Sequence, residues 1–389
     1  MRPPSGKSFW HEALVFSAAG LWRHEGDDGR RAIAAAQGFG VLTTLRVFQA
    51  IGGGRHGGAE TFFIRLAIAL QRAGLTQRVA IRRDAIRAAR LAEGGVDVRE
   101  FAFGGAFDMI TPLKLARAIR EFQPTVVLSW MSRATAKIPP KRLCGVPFVH
   151  VARLGGFYGL KYYRRCDHLV GITREIVEYT RKGGWPSERT HYLPNFADVP
   201  TMTPVARADL GTPSDAPLAL ALGRLHRNKA FDVLLRALAL TPGLHLWIAG
   251  EGPARGALEA LIRDLSLGDR VRLLGWRDDV AALLPASDFV VFPSRHEPFG
   301  TVTLEAWAAG RALVAAATYG PAAVIEDGVN GLLVPVDDHQ ALAAAMTKLC
   351  RDVGLRQRLA AGGRKAYEAE FTEAAVVRNY MRLFEEITA

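Results

Sequence analysis

The chain has 389 residues, 49% hydrophobic and 23% charged, which is the composition of a soluble globular protein with room for two domains. Its three cysteines form no close pair and no metal-binding spacing, which excludes a disulfide framework and indicates reduced thiols in a cytosolic chain. The longest apolar stretch, residues 306–325, contains Arg311, two glycines and a proline, which excludes a single membrane-spanning helix.

Positive charge is concentrated in one part of the chain. Residues 44–200 contain 25 Lys and Arg but only 12 Asp and Glu, while the formal net charge of the whole chain is +12. This asymmetry predicts an anionic partner for residues 44–200. The candidates are an acidic membrane surface, a phosphorylated acceptor and nucleic acid. The alternative explanation is an arginine-rich surface that is only solvated.

Strand and helix patterns alternate from residue 44 onward, which predicts parallel sheets with crossover helices. For residues 1–43 we expect a disordered extension or a start codon assigned too early, because no convincing strand or signal peptide is present. A first Rossmann-like domain is expected over residues 44–198. Its predicted strands are 45–51, 78–81, 125–129, 148–152, 168–172 and 190–193, with helices at 60–73, 111–122 and 174–182.

The composition changes after residue 198, where the proline-rich segment 199–217 predicts a linker that acts as a hinge. A second Rossmann-like domain is expected over residues 199–370, and a ligand would then bind between the two domains. A C-terminal helix within residues 371–389 should pack back toward the first domain, with Thr372 as its N-cap. The predicted strands of the second domain are 218–221, 244–248, 271–274, 289–292 and 312–316.

A glycine-rich loop follows the first strand. Gly52, Gly54 and Gly57 match the pattern G-x-G-x-x-G, but the acidic residue that confirms a dinucleotide site is missing. We therefore expect a loop that lets a phosphate or a sugar approach the backbone closely. A flexible turn is the alternative.

Two cations follow the first strand of the second domain. Arg224 offers a planar guanidinium and Lys229 a point charge, a combination suited to a diphosphate. Solvated cations without a ligand are the alternative. The loop 249–253 ends the next strand at the same edge of the sheet, where open α/β sheets bind ligands.

Two glutamates, Glu297 and Glu305, have seven residues between them at a predicted strand–loop–helix junction. Glu297 is expected on the loop after strand 289–292, and Glu305 in the first turns of the following helix, 302–309. The free N–H groups at the start of that helix favour an anion. This set of groups would suit a nucleotide-sugar. One carboxylate would bind the sugar hydroxyls, the free amides would bind the diphosphate, and the other carboxylate would bind the ribose. Solvated acids favoured by the helix dipole are the alternative.

No spacing of His, Cys, Asp or Glu predicts a metal site or a Ser-His-Asp triad. A lone histidine such as His150 is more often structural than catalytic. Trp276 could border a nucleotide base, although a buried core position is the default expectation for a tryptophan.

Taken together, these residues resemble retaining glycosyltransferase family 4, which has the GT-B fold, an α/β architecture of two Rossmann-like domains facing each other across a cleft. The matching segments are 57–60, 223–229, 250–253, 293–294, 297–306 and 327–334. The segments 153–158 and 195–198 are similar to those of bacterial members that build lipopolysaccharide or other surface polysaccharides.

The resemblance implies a metal-independent, retaining transferase that uses a nucleoside-diphosphate sugar and no further cofactor. The implied donor-binding residues are Gly57, Gly58, Arg224, Lys229, Gly300, Thr301, Val302 and Glu305. Glu297 would hold donor-sugar hydroxyls and steady the oxocarbenium-like centre. Arg153 or His150 would face the acceptor, because this chain has Arg153 where many relatives have a histidine. Ala230 replaces a glycine that is common after the lysine and should fit if the backbone stays right-handed.

The implied acceptor is a glycolipid, a lipopolysaccharide or another polysaccharide. The basic first domain, including Arg82, Arg83, Arg164 and Arg165, is expected to contact an anionic inner membrane from the cytoplasmic side. A sugar-nucleotide epimerase or phosphorylase of the same fold is one alternative. A basic nucleic-acid-binding protein is another, but no recognised module supports it, and no nucleic-acid partner is expected.

Overall fold

The computed structural model describes residues 45–54, 57–105 and 108–389, and the extension predicted at residues 1–43 lies outside them. Within the described residues, thirteen strands form two sheets of seven and six strands. Every pair of neighbouring strands in both sheets is parallel. The predicted α/β architecture of two Rossmann-like halves is confirmed.

The first sheet has the order β3-β2-β1-β4-β5-β6-β7. Its strands are β1 (Arg46–Ile51), β2 (Thr76–Arg82), β3 (Asp97–Phe101), β4 (Val126–Trp130), β5 (Val149–Leu154), β6 (His168–Gly171) and β7 (Thr190–Tyr192). The helices of this half are α1 (Gly58–Arg72), α2 (Ala85–Glu93), α3 (Ile110–Phe122), α4 (Met131–Lys137), α5 (Lys141–Cys144) and α6 (Arg174–Lys182).

The second sheet has the order β10-β9-β8-β11-β12-β13. Its strands are β8 (Leu218–Leu222), β9 (His245–Ala249), β10 (Val271–Gly275), β11 (Phe289–Phe292), β12 (Ala312–Ala316) and β13 (Leu332–Val334). The helices of this half are α7 (Phe231–Ala239), α8 (Arg255–Asp264), α9 (Val280–Ala286), α10 (Thr301–Ala308), α11 (Tyr319–Val324), α12 (His339–Arg351) and α13 (Val353–Ala366).

The central strands of the second sheet are apolar along their whole length. Every residue of β8, β11 and β12 is buried. Helices cover both faces of such a parallel sheet, which is why these strands carry no alternation of polar and apolar residues. The sheet therefore forms a rigid base for the loops at the carboxyl ends of its strands.

The chain returns to the first half through the last helix, α14 (Glu373–Glu386). The hydroxyl of Thr372 accepts a hydrogen bond from the backbone N–H of Ala375, which confirms the predicted N-cap. The Nη2 atom of Arg72, on α1, donates to both carboxylate oxygens of Glu373 at the start of α14. Among the described helices, none is both long and apolar enough to cross a membrane.

Candidate active site

Two loops of the second half pack against each other at the carboxyl edge of their sheet. A Cβ atom on Gly250 would lie 2.0 Å from the carbonyl oxygen of Gly223, and one on Gly252 would lie 2.4 Å from that of Leu225. Only glycine lets these backbones approach so closely. The sequence segment 249–253 therefore fixes the position of the loop that carries Arg224 and Lys229.

Lys229 and Glu297 form an ion pair in the cleft. Their Nζ and Oε2 atoms are 2.6 Å apart, and both side chains are largely buried. The Lys229 ammonium also lies 5.1 Å from the centre of the Phe292 ring, at the end of β11. The geometry therefore joins two residues that are far apart in sequence and does not match the alternative of separately solvated ions.

The helix that follows Glu297 begins at a glycine in the left-handed conformation. Gly300 has φ of 83°, and a Cβ atom there would lie 2.7 Å from the Phe292 ring. The turn therefore requires glycine. The first N–H groups of α10, those of Thr301 and Val302, have no intrahelical acceptor, as at the start of any helix, so they can bind an anion.

The second glutamate, Glu305, lies one turn further along α10 and meets the first half of the protein. The guanidinium of Arg65, on α1, lies 3.8 Å from its carboxylate. Burial raises the pKa of Glu305, and the nearby charges of Arg65 and Lys229 oppose that shift. Sequence reasoning missed Arg65, because nothing in its helix indicates which exposed position will face the other domain.

Aromatic side chains make a second contact across the cleft. The rings of Phe157, in the first half, and Tyr319, at the start of α11, have centres 5.0 Å apart. Phe157 also packs on Tyr179. Phe157 and Tyr319 remain 42% and 63% exposed, so their ring faces are available at the mouth of the cleft.

The glycine-rich loop of the first half folds around an acidic side chain. A Cβ atom on Gly53 or Gly57 would lie 1.9 Å or 2.3 Å from a carboxylate oxygen of Glu60, whereas one on Gly58 would meet open space. Glycine at positions 53 and 57 thus makes room for Glu60. Gly58 leaves a bare surface at the start of α1, where a ligand can approach the backbone.

Arg224 and Trp276 project from the second half. The Arg224 side chain is exposed and makes no hydrogen bond or ion pair with another described residue. Trp276 is 73% exposed, with its indole N–H donating to Asp278. The default expectation of a buried core position for Trp276 was wrong, because the residue follows β10 at the sheet edge.

Arg153 lies in the interior, between α1, β4 and α14. It is 2% exposed and donates hydrogen bonds to the Tyr380 hydroxyl and the Asn195 side-chain oxygen. Its guanidinium also stacks over the rings of Phe62 and Trp130, at 4.7 and 4.4 Å. These contacts join the last helix to the first domain. The acceptor-facing role implied for Arg153 gains no support from this placement.

His150 is also buried, within β5. It shares a hydrogen bond of 2.9 Å with the Ser129 hydroxyl, and its backbone N–H donates to Asp167. Burial lowers the pKa of His150 to about 4, so that the ring is neutral at physiological pH. These surroundings match the structural role that a lone histidine usually has, and the catalytic role stays a prediction.

The backbone at Ala230 differs from the sequence expectation. Ala230 has φ of 53° and ψ of 34°, which is left-handed, and it closes the short 3₁₀ turn that carries Lys229. The condition under which alanine was expected to fit, a right-handed backbone, is therefore not met. The glycine found here in many relatives would relieve this conformation.

Among the described residues, no group of three or more His, Cys, Asp or Glu is arranged to hold a metal ion.

The chain is similar to known proteins along most of its described length. The family model of glycosyl transferases group 1 matches residues 203–366, and that of glycosyltransferase family 4 matches residues 56–200. The lipopolysaccharide core biosynthesis glycosyltransferases LpsE and LpsD of Rhizobium meliloti are each 36% identical to the chain, over 333 and 335 residues. Each alignment covers 85% of this chain and 96% of the relative.

A similar fold is known from a solved structure. The crystal structure of Anabaena HepE in complex with UDP and glucose matches with a TM-score of 0.75 and 21% identity, covering 88% of this chain and all of that chain. Two parallel Rossmann-like halves with a polar cleft define a glycosyltransferase of the GT-B fold. The chain belongs to glycosyltransferase family 4.

Proposed function

We propose that the protein is a retaining, metal-independent glycosyltransferase that uses a nucleoside-diphosphate sugar as donor. The observation that carries this proposal is the Lys229–Glu297 ion pair beside the first turn of α10, with Glu305 on the same helix. An anion-binding helix start and two carboxylates then lie within one short strand–loop–helix unit, and a cation from the turn after β8 lies against it.

The donor diphosphate would be bound by Lys229, Arg224 and the first N–H groups of α10. These groups supply the positive charge that a divalent cation would otherwise supply, which is the reason for proposing metal independence. Glu305 would accept hydrogen bonds from the ribose hydroxyls. The exposed indole of Trp276 is suited to stacking on the base.

Once the diphosphate has replaced Glu297 as the partner of Lys229, Glu297 would bind hydroxyls of the donor sugar. Its carboxylate would then stabilise positive charge that develops at the anomeric carbon as the diphosphate leaves. Retention of configuration is part of the proposal because it accompanies this arrangement in the family that the chain resembles. An NMR assignment of the anomeric proton in the first product would decide it.

The proposed acceptor is a lipid-linked glycan, lipopolysaccharide or another surface polysaccharide. Its support is the similarity to LpsE and LpsD, which are named for lipopolysaccharide core biosynthesis. Such acceptors are anchored in a membrane, and the excess of Lys and Arg in residues 44–200 is suited to an anionic lipid surface.

We further propose a peripheral position on the cytoplasmic face of the inner membrane. Apolar side chains at the start of α3 support it, because Met109, Ile110 and Leu113 are 75%, 63% and 65% exposed and Lys114 lies beside them. The double variant Ile110→Ser/Leu113→Ser should release the protein from phosphatidylglycerol vesicles. Equal sedimentation of wild type and variant would contradict this position.

The donor site is tested by thermal unfolding with UDP, GDP, ADP and CDP. We expect one nucleotide to stabilise the protein, by about 2.7 kcal/mol at a concentration one hundred times its Kd. Lys229→Ala and Glu305→Ala should abolish the response, whereas Lys348→Ala, an exposed lysine on α12, should keep it. No response to any nucleotide would overturn the proposal, and a response that survives both variants would overturn the site.

Dialysis against EDTA should leave transfer unchanged.

A further inference from the structure

A small cavity lies in the first half of the protein, apart from the donor residues. Its volume is about 180 Å³, and it lies between the loop after β1 and the junction of β2 with α2. The lining residues are Gly53, Gly54, Arg82, Arg83, Asp84 and Arg87. A cavity of this size accommodates a phosphate or carboxylate group with part of a sugar, but not a nucleotide.

Arginines give the cavity its charge. Arg82 and Arg83 are exposed, and their side chains form no hydrogen bond or ion pair with another described residue. Arg87, by contrast, is buried and donates to the carbonyl oxygen of Gly54, which ties α2 to the glycine-rich loop. Arg87 therefore stabilises the wall of the cavity, while the guanidinium groups of Arg82 and Arg83 are accessible to a ligand.

The acidic side chain that lines the cavity, that of Asp84, already has polar partners. The Asp84 carboxylate caps α2 by accepting from the N–H of Arg87, and it lies 3.8 Å from the Arg87 guanidinium. The N–H of Asp84 donates to Glu100, on the neighbouring strand β3. The charges of Arg87 and Asp84 thus offset each other. Among the described residues, the further carboxylates beside the cavity are those of Glu100 and of Glu60, which lies against Gly53.

The cavity faces the same edge of the sheet as the cleft. Strands β1 and β2 are neighbours in parallel register, with Ile51 opposite Ile81, so that their carboxyl ends meet there. In doubly wound sheets that bind NADP, an arginine near the end of the second strand binds the 2′-phosphate. The glycine-rich loop connects the cavity directly to Gly57 and Gly58, at the start of α1.

We infer that this cavity binds an anionic group, a phosphate or a carboxylate, carried by the acceptor glycan, through the guanidinium groups of Arg82 and Arg83. This inference rests on the proposed function, since it takes the first half as the acceptor-binding half. It names the substrate class: a sugar acceptor that bears a negative charge. A neutral acceptor would leave two guanidinium groups without a partner.

The test measures binding of glucose 6-phosphate, glucuronate and glucose by calorimetry. All proteins carry Lys229→Ala, so that phosphate binding at the donor site is weakened. Arg82→Gln/Arg83→Gln is compared with Arg90→Gln/Arg263→Gln, which removes two charges from exposed positions outside the cavity. We expect the first pair to lower the affinity for glucose 6-phosphate or glucuronate roughly tenfold or more, the second to leave it unchanged, and glucose to bind none of the proteins.

Equal affinity in both double variants, or binding of glucose as tight as that of the charged sugars, overturns the inference. A second arm uses phosphatidylglycerol vesicles. If Arg82→Gln/Arg83→Gln loses vesicle binding but keeps sugar-phosphate binding, the two arginines contact lipid headgroups and the inference fails. The nucleotide response of the protein with Lys229 intact should be the same with and without Arg82→Gln/Arg83→Gln, so that failure of the proposed function is seen separately.

Discussion

Arg153 shows how a buried charge can be structural. Its guanidinium is enclosed by two aromatic rings and bound by Tyr380 and Asn195. Arg153→Ala would leave these two polar groups without their donor and create a cavity. We expect a loss of about 2–4 kcal/mol in the free energy of unfolding, measured with urea.

The control for this prediction is Arg164→Ala, which removes an exposed charge of the same domain. Its effect should stay within about 0.5 kcal/mol. A catalytic role for Arg153 predicts the opposite pattern, in which kcat falls steeply while stability is unchanged. Measuring both quantities on Arg153→Ala therefore decides between the two roles.

Glu305 should make donor binding depend on pH. Burial raises its pKa, so that its carboxylate becomes protonated at a higher pH than a solvated glutamate. If the ionised form accepts hydrogen bonds from ribose as proposed, nucleotide affinity should fall as the pH drops through this raised pKa. Arg65→Ala removes a charge that opposes the shift, and it should move the fall to higher pH.

Titrations of the stabilising nucleotide at several pH values measure this dependence. Glu305→Gln is the control, because its side chain has no charge to lose, and its weaker binding should show no step in the acidic range. A step of the same size and position in Glu305→Gln would assign the titration to another group.

The 3₁₀ turn before α7 stores a local strain at Ala230. An L-residue in the left-handed conformation costs roughly 1–2 kcal/mol, whereas glycine adopts it freely but loses more entropy on folding. Ala230→Gly should therefore stabilise the protein by about 0.5 kcal/mol. Ala237→Gly, at a buried position inside α7, should destabilise it by about 1 kcal/mol. Thermal unfolding that moves in the same direction for both variants would contradict this explanation.

Elements with strong local signals were predictable from the sequence. Strands β8, β11 and β12 are continuous apolar runs, and the junction that carries Glu297 and Glu305 follows from a strand, breakers and a helix start. Strand β3 was missed, because its residues are mostly polar and only partly buried at a sheet edge. The left-handed turn at Ala230 was missed because alanine gives no sign of it.

Contacts between the two halves were the least predictable part of the site. The pairing of Arg65 with Glu305 joins residues that are 240 positions apart, and it exists only because two separately folded sheets meet. The same holds for Phe157 and Tyr319. No periodicity within a helix or strand records which exposed side chain will face another domain.

At the scale of the whole molecule, the halves share a buried apolar cluster, and two further kinds of contact join them. The buried set around Arg153 and the Arg72–Glu373 ion pair anchor α14 to the first half. At the mouth of the cleft, the Arg65–Glu305 and Phe157–Tyr319 pairs are partly exposed. We expect the anchor to persist during catalysis, and we expect binding of the proposed donor to rearrange the pairs at the mouth.

The strength of these cleft contacts determines how far the free protein opens. A partly exposed ion pair contributes up to about 1 kcal/mol, and an aromatic pair about 0.5–1.5 kcal/mol. Their joint loss in Arg65→Ala/Tyr319→Ala should shift the ratio of open to closed forms by roughly tenfold. The radius of gyration measured by X-ray scattering should then increase, while the free energy of unfolding changes little.

The matched control is Arg90→Ala/Tyr162→Ala, which removes an exposed arginine and an exposed tyrosine of the first half without touching the cleft. Its scattering curve should superimpose on that of the wild type. If both double variants keep the wild-type radius of gyration, the buried contacts between the halves, including the anchor through α14, set the distance between them. Donor binding would then proceed without domain opening, because only the side chains at the mouth would need to move.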